Sequence, residues 1–228
     1  MQNIRLVVFD IAGTTVADKG EVAKAFMAAC KNEGFEVDME EVNKVMGFRK
    51  KEAIKILLEK YKPKTQEDPV RLIDKIHEAF LRNMISFYEN DNELHPLPHA
   101  EETFKILKRL EVKVALNTGF TKSITDTILS RLNWNKNGTI DYVVSSDEVP
   151  EGRPHPYMIR SIMNALNIND AKQVAKVGDT QVDIEEGRNS GCGLVVSVTT
   201  GTYTRQQLEN YHPDYIIDSL GELPALIQ

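Results

Sequence analysis

From residue 100 onward, short apolar runs alternate with segments whose apolar residues recur every three to four positions. The runs predict strands near 112–117, 141–145, 174–178, 193–198 and 215–217, and a further one near 4–9 opens the chain. The periodic segments predict helices over 101–110, 121–132, 156–167 and 181–190. This alternation is the pattern of a doubly wound α/β fold, a parallel sheet with helices on both faces. Ligands of such sheets bind outside the carboxyl ends of the strands, near the point where strand order reverses. Asp10, Thr118 and Asp179 each follow a predicted strand.

Residues 18–90 follow a different pattern. They are rich in Lys, Glu, Met and Leu at helical periods and contain no convincing strand, which predicts a small all-helical cap inserted after the first strand. The division expected is a core of residues 1–17 and 91–228 and a cap of residues 18–90. Pro96 and Pro98 stiffen the return to the core and stop any helix from running through it. A module hung there can close over the strand ends to exclude water and open to release product.

Composition narrows the class. With 228 residues, 41% hydrophobic and 27% charged, the chain can bury a full core, and a net charge of -6 argues against a nucleic-acid or anionic-membrane surface. No basic and apolar leader pattern and no stretch of membrane-spanning length is present, so the expectation is a cytoplasmic protein without membrane or nucleic-acid partners. Cys30 and Cys192 are too few and too far apart for a disulfide framework and read as small buried residues. His77, His95, His99 and His212 lack metal-ligand spacing, and His155, between two prolines, reads as structural or solvent-facing.

Four pieces carry chemistry. Asp10, at the end of a buried strand and followed by Gly13-Thr14-Thr15, is placed to attack phosphorus while backbone N–H groups and a metal ion hold the phosphoryl oxygens. Thr118-Gly119 ends a strand with a hydroxyl and a backbone N–H for a phosphoryl oxygen. Gly152-Arg153-Pro154-His155-Pro156 sets a guanidinium beside proline-stiffened backbone. Asp179 and Asp183 sit four residues apart at the mouth of a helix, a spacing suited to a hard cation such as Mg²⁺. Alone, Thr118-Gly119 is a strand-to-helix turn and Asp183 an acid favoured by a helix dipole; together and in order the pieces are specific. Ala12 stands two residues past Asp10, where an alcohol leaving group would need a proton donor.

In these motifs, and over essentially its whole length, the chain resembles the haloacid dehalogenase superfamily, whose Rossmann-like cores use an aspartate nucleophile and Mg²⁺. The motifs fall on Asp10, Thr118, Arg153, Asp179 and Asp183. Ala12 in place of the usual acid, Arg153 in place of the usual lysine, and Met46-Gly47-Phe48-Arg49-Lys50 in the cap are similar to the phosphonatase branch, which hydrolyses phosphonoacetaldehyde.

The resemblance implies that Asp10 is the nucleophile and that Lys50 forms a Schiff base, an electron sink for carbon–phosphorus cleavage. It implies that Mg²⁺ is held by Asp10, the Ala12 carbonyl and Asp179, with Asp183 acting through water. Ala12, Gly13, Thr118, Gly119, Arg153, Met46 and Gly47 would bind substrate and its phosphoryl group. A homodimer through the cap helices is implied as well. By composition alone Lys50 belongs to a charged cluster that would ordinarily be solvated, and Lys51 is the substitute if the loop register differs. Nearby Arg49, Lys51 and Arg153 are expected to lower the pKa of the catalytic amine. Three details depart from the branch: Ala53 stands where it has histidine, Asp18-Lys19-Gly20-Glu21 where it often has cysteine, and the part after Thr200-Gly201-Thr202 is shorter. A phosphatase acting on a small organic phosphate monoester is therefore the alternative, and a binding protein without turnover the reading from another class.

Overall fold

The computed structural model describes residues 3–61, 67–90, 94–136 and 138–227. Six parallel strands form one sheet: β1 (Leu6–Phe9), β2 (Lys113–Thr118), β3 (Tyr142–Ser145), β4 (Val174–Gly178), β5 (Leu194–Val198) and β6 (Tyr215–Ile217). Their order is β3-β2-β1-β4-β5-β6, so the chain runs outward from β1 on one side and resumes at β4 on the other. All four residues of β1 are buried, because alternate side chains enter different layers. Val7 and Phe9 join one apolar cluster and Leu6 and Val8 the other.

Helices α5 (Ala100–Arg109) and α6 (Lys122–Arg131) feed the first layer through Phe104, Leu107, Ile124 and Ile128, and α10 (Leu223–Ile227) joins them. The second layer holds α7 (Tyr157–Ala165), α8 (Gln181–Ser190) and α9 (Arg205–Glu209), through Ile159, Ile162, Ile184 and Leu208. The loops after β1 and β4 thus diverge to opposite faces, which opens a crevice between those two strand ends. The expected strands and core helices are all present, shifted by no more than a residue or two at their ends. The short helices α9 and α10 were not expected.

Between β1 and α5 lie α1 (Glu21–Asn32), α2 (Met39–Lys44), α3 (Lys50–Tyr61) and α4 (Pro69–Asn90), with no strand among the described residues. Their apolar faces meet at Phe26 and Phe80, whose rings are 5.5 Å apart, and this contact is continuous with the cluster around Phe9 and Phe104. The two chain passages into and out of these helices run side by side: Leu97 N–H donates to Thr15 (2.9 Å) and Ala17 N–H to His95 (3.2 Å). The expected boundary at residue 91 lies outside the described residues. Among the described residues no helix is long and apolar enough to cross a membrane.

Candidate active site

Parallel register sets the rungs of the site. Phe9 lies opposite Leu116 and Val177, so Asp10 is level with Asn117 and Gly178, and Thr118 and Asp179 stand one rung higher. The loop after Asp10 is tied down by the Thr15 hydroxyl, which donates to the Asp10 carbonyl at 2.9 Å. Gly13 turns this loop with φ of 84°, and a Cβ there would lie 2.9 Å from Asp179 Oδ2.

Behind Asp10 is a dense ionic network. Arg153, buried completely, donates through Nη1 to Asp10 Oδ1 (2.6 Å), through Nε to Glu186 (3.1 Å) and through Nη2 to the Asn117 carbonyl (2.7 Å) and Oδ1 (2.6 Å). Lys176 reaches Asn117 Oδ1 (2.7 Å), Asp183 Oδ1 (2.9 Å) and Glu186 (3.4 Å). Asn117 in turn donates from Nδ2 to both Glu186 oxygens, each at 2.9 Å. Burial pushes Asp10 up, Arg153 pulls it back and Asp183 raises it further; the net effect is upward. Burial also works against Asp183, but the charges of Arg153 and Lys176 prevail and hold it below its ordinary value. The resemblance places Arg153 against the phosphoryl group. The structure puts its guanidinium behind Asp10, outside the cavity lining, with all three nitrogens engaged by the protein. Its hold is on Asp10.

Asp179 is held differently. Burial raises it well above the usual carboxylate range, and Asp10 and Asp183 raise it further, despite hydrogen bonds from Thr202 N–H (2.6 Å) and the Thr14 hydroxyl (3.2 Å). No Lys, Arg or His among the described residues makes an ion pair with it. Two buried carboxylates facing one cavity with one uncompensated charge suit a hard cation bound by oxygen. Asp183 is turned away from that cavity. Its Oδ1 lies within ion-pair distance of Lys176 and Arg153 (3.0 Å), without an aligned hydrogen bond to either. Among the described residues no three His, Cys, Asp or Glu side chains converge as a metal cage; Asp10, Ala12 and Asp179 line the same cavity and could together hold an ion there.

The opposite wall comes from the cap helices. Lys50, first residue of α3, is 3% exposed, and its Nζ lies 5.4 Å from the Phe120 ring and 5.9 Å from that of Phe80. Burial lowers its pKa to about 8; Arg153 adds to the fall, while Asp10, Asp18 and Asp179 oppose it. Arg153 is the cation among its leading influences, while Arg49 and Lys51 are engaged elsewhere. Lys51 is solvent-exposed and paired with Asp74 (2.7 Å), and Arg49 donates to the carbonyls of Val149 and Pro150, each at 2.8 Å, and of Ser146. This resolves the register: Lys50 enters the cavity and Lys51 faces water. The Met46-Gly47-Phe48 loop rests on the strand ends because Gly47, at φ 80°, leaves room for Thr180, whose Oγ1 would be 2.7 Å from a Cβ. The cavity between Asp10 and Lys50 has a volume of about 30 Å³.

The structure thus brings Asp10, Ala12, Thr118, Gly119, Asp179, Met46, Gly47 and Lys50 to one cavity, with Gly13 beside Asp179 and with Arg153 and Asp183 behind it. Sequence reasoning missed Asn117, Lys176 and Glu186 in the network, and Phe80 and Phe120 beside the amine. Lys176 carried a signal, a cation inside the apolar run Val174-Ala175-Lys176-Val177. The other four look like ordinary core or surface residues.

Residues 7–197 match the family model described as haloacid dehalogenase-like hydrolase. All of the chain aligns, at 32% identity, with 96% of the phosphonoacetaldehyde hydrolase of Latilactobacillus sakei subsp. sakei (strain 23K). A phosphonoacetaldehyde hydrolase-like protein from Oleispira antarctica superposes with a TM-score of 0.84 at 25% identity, over 99% of this chain and 91% of that one. The fold is shared also with CbbY from Rhodobacter sphaeroides, solved with phosphate, at a TM-score of 0.80 and 21% identity over 96% of each chain.

Proposed function

The chain belongs to the haloacid dehalogenase-like hydrolase family, and within it we propose a phosphonatase-type activity that cleaves the carbon–phosphorus bond of a small aldehyde phosphonate, phosphonoacetaldehyde being the first candidate. The observation that carries this reading is Lys50: a buried amine with its pKa lowered to about 8, in the same cavity as a carboxylate nucleophile. Phosphate ester hydrolysis has no use for such an amine.

In this scheme neutral Lys50 condenses with the aldehyde, and the resulting iminium withdraws electrons from the carbon–phosphorus bond. Asp10, oriented by Arg153, attacks phosphorus through a carboxylate oxygen as the bonding pair moves into an enamine. Thr118, whose hydroxyl is oriented by the Phe120 N–H (3.2 Å), and the Gly119 N–H receive phosphoryl oxygens. Hydrolases of this family generally use Mg²⁺; here it would be held by Asp10, the Ala12 carbonyl and Asp179, and would polarise the phosphoryl oxygens. Ala12 fits the scheme, since no alcohol oxygen awaits a proton there and a larger side chain would project into the cavity that Ala12 lines. The homodimer through the cap helices belongs to the same reading and is tested by the mass in light scattering.

The test is phosphate release from phosphonoacetaldehyde and from a panel of small phosphate esters, each with borohydride present. Cleavage of the phosphonate that borohydride abolishes, with the adduct on Lys50 by mass spectrometry, is the expected result. Ester hydrolysis without trapping would replace this reading with that of a phosphatase.

A further inference from the structure

Imine chemistry at Lys50 requires protons to be delivered and removed at defined moments, and the amine cannot do this for itself. The chain's own groups can be surveyed. Among the described residues that line the cavity, the titratable side chains are Asp10, Asp18, Lys50 and Asp179, with no histidine, tyrosine or cysteine. Asp10 is committed to phosphorus and clamped by Arg153 at 2.6 Å. Asp179 is tied to the Thr202 N–H and the Thr14 hydroxyl on the Asp10 side. Asp18 remains. It lies where the chain enters the cap helices, lines the same cavity as Lys50, and its charge favours the protonated amine.

We propose that Asp18 is the general acid and base for the imine steps at Lys50, an inference that rests on the phosphonatase reading given above. Its carboxyl is fixed by one oxygen: Oδ1 accepts from the backbone N–H groups of Gly20 (3.0 Å), Glu21 (2.8 Å) and Val22 (3.4 Å) at the start of α1. That anchorage holds the group at the cavity wall. Burial raises its pKa, the Val22 N–H opposes this, and a hydrogen bond shared with the Glu21 carboxyl raises it again, so protonated Asp18 is accessible nearer neutrality than for a free aspartate. Lys50 on α3, Glu21 on α1, Asp10 and Asp179 at the strand ends, and the neighbouring Lys19 are charged groups around it. Val22, Met46 and Phe120 form the apolar part of the same cavity wall, and on its other side half-buried Asp18 borders a second cavity with Lys19 and Asn43, a route by which it can exchange its proton with water.

The steps balance as follows. The neutral amine adds to the aldehyde carbon to give a carbinolamine. The Asp18 carboxylic acid gives its proton to the departing hydroxyl, releasing water and leaving the iminium and an Asp18 carboxylate. After the phosphoryl group passes to Asp10, the enamine takes a proton at its terminal carbon, relayed through Asp18 from a water whose hydroxide goes to the aspartyl phosphate, releasing phosphate and restoring the Asp10 carboxylate. Water then adds to the new iminium as the Asp18 carboxylate takes its proton, and the amine leaves with acetaldehyde as product.

Asp18→Asn separates this role from capping, because an asparagine oxygen can still accept the three N–H bonds. The expected result is an unchanged melting temperature and KM, with kcat for phosphonoacetaldehyde down roughly 10²- to 10³-fold and borohydride inactivation slowed in parallel. Turnover and trapping within about threefold of wild type would overturn the proposal, as would a loss traced wholly to KM or to unfolding of both Asp18→Asn and Asp18→Ser, the second keeping a capping oxygen. If wild type itself is not trapped by borohydride, the phosphonatase reading fails and this inference fails with it. Trapping of wild type with an unaffected Asp18→Asn removes the inference alone.

Discussion

The two walls of the cavity are built on opposite electrostatic plans. On the core side, five buried charges, Asp10, Arg153, Lys176, Asp183 and Glu186, lie in mutual contact, and each cation has two or more acidic partners. On the cap side, Lys50 stands alone against Phe80 and Phe120, and no described carboxylate makes an ion pair with it. Burial acts on both walls but selects opposite states. Where partners are supplied, a group such as Asp183 stays charged despite desolvation; where they are withheld, the amine drifts toward its neutral form. A nucleophilic amine needs the second environment and a firmly held carboxylate the first, so the division of labour follows from where the fold places its counter-ions.

The sharpest way to break the comparison is at Asp10. Asp10→Asn removes the attacking oxygen, and phosphate release from any substrate is expected to fall by on the order of 10⁴-fold or more. The same change removes a like charge from Asp179 but also an acid from Arg153, opposing effects on stability, so activity is the readout. Residual turnover within about a hundredfold of wild type would show that another group attacks phosphorus.

Next comes Glu186, which touches no substrate. It accepts from Arg153 and Asn117 and is ion-paired to Lys176 at 3.4 Å while fully buried. Glu186→Ala leaves two cations short of one acid, and losing one partner from a buried pair costs about 3–5 kcal/mol. Urea melts read this directly. A loss under about 1 kcal/mol would mean that Asp10 and Asp183 alone satisfy both cations.

These residues also mark how far the sequence could be read. The sheet and its helices were legible because strands buried on both faces are written as unbroken apolar runs, and the helices between them carry their own period. Asp10, Thr118 and Asp179 were legible because a strand end is a position along the chain. Asn117, Lys176 and Glu186 were not, since their meaning lies in pairing across 59 and 69 residues of sequence. Arg153 was found, but its bonds to Asp10 and Glu186 were not, because a guanidinium before a proline looks the same whatever it pairs with across the fold. Lys50 and Lys51 differ only in helical phase, which one residue of slippage would exchange.

The smallest predicted effect sharpens the cap side and comes from Lys50 itself. Its folded pKa of about 8 lies below the 10.5 of an unperturbed lysine. Between those values the unfolded chain binds more protons than the folded one, so stability contributed by this site rises with pH across that window. Below about pH 8 both states are charged there and the burial penalty is present in full, about 3 kcal/mol; above about pH 10.5 both are neutral and it is gone. Lys50→Met keeps the packing and never carries the penalty, so it should be more stable than wild type near neutral pH by up to that amount, with the gap closing as pH rises. Taking the difference between the two proteins cancels titrations they share, such as those of Tyr203 and the cysteines. A gap that stays constant from about pH 7 to 10.5 would show that Lys50 is charged in the folded protein throughout, and the cap wall would then obey the same rule as the core.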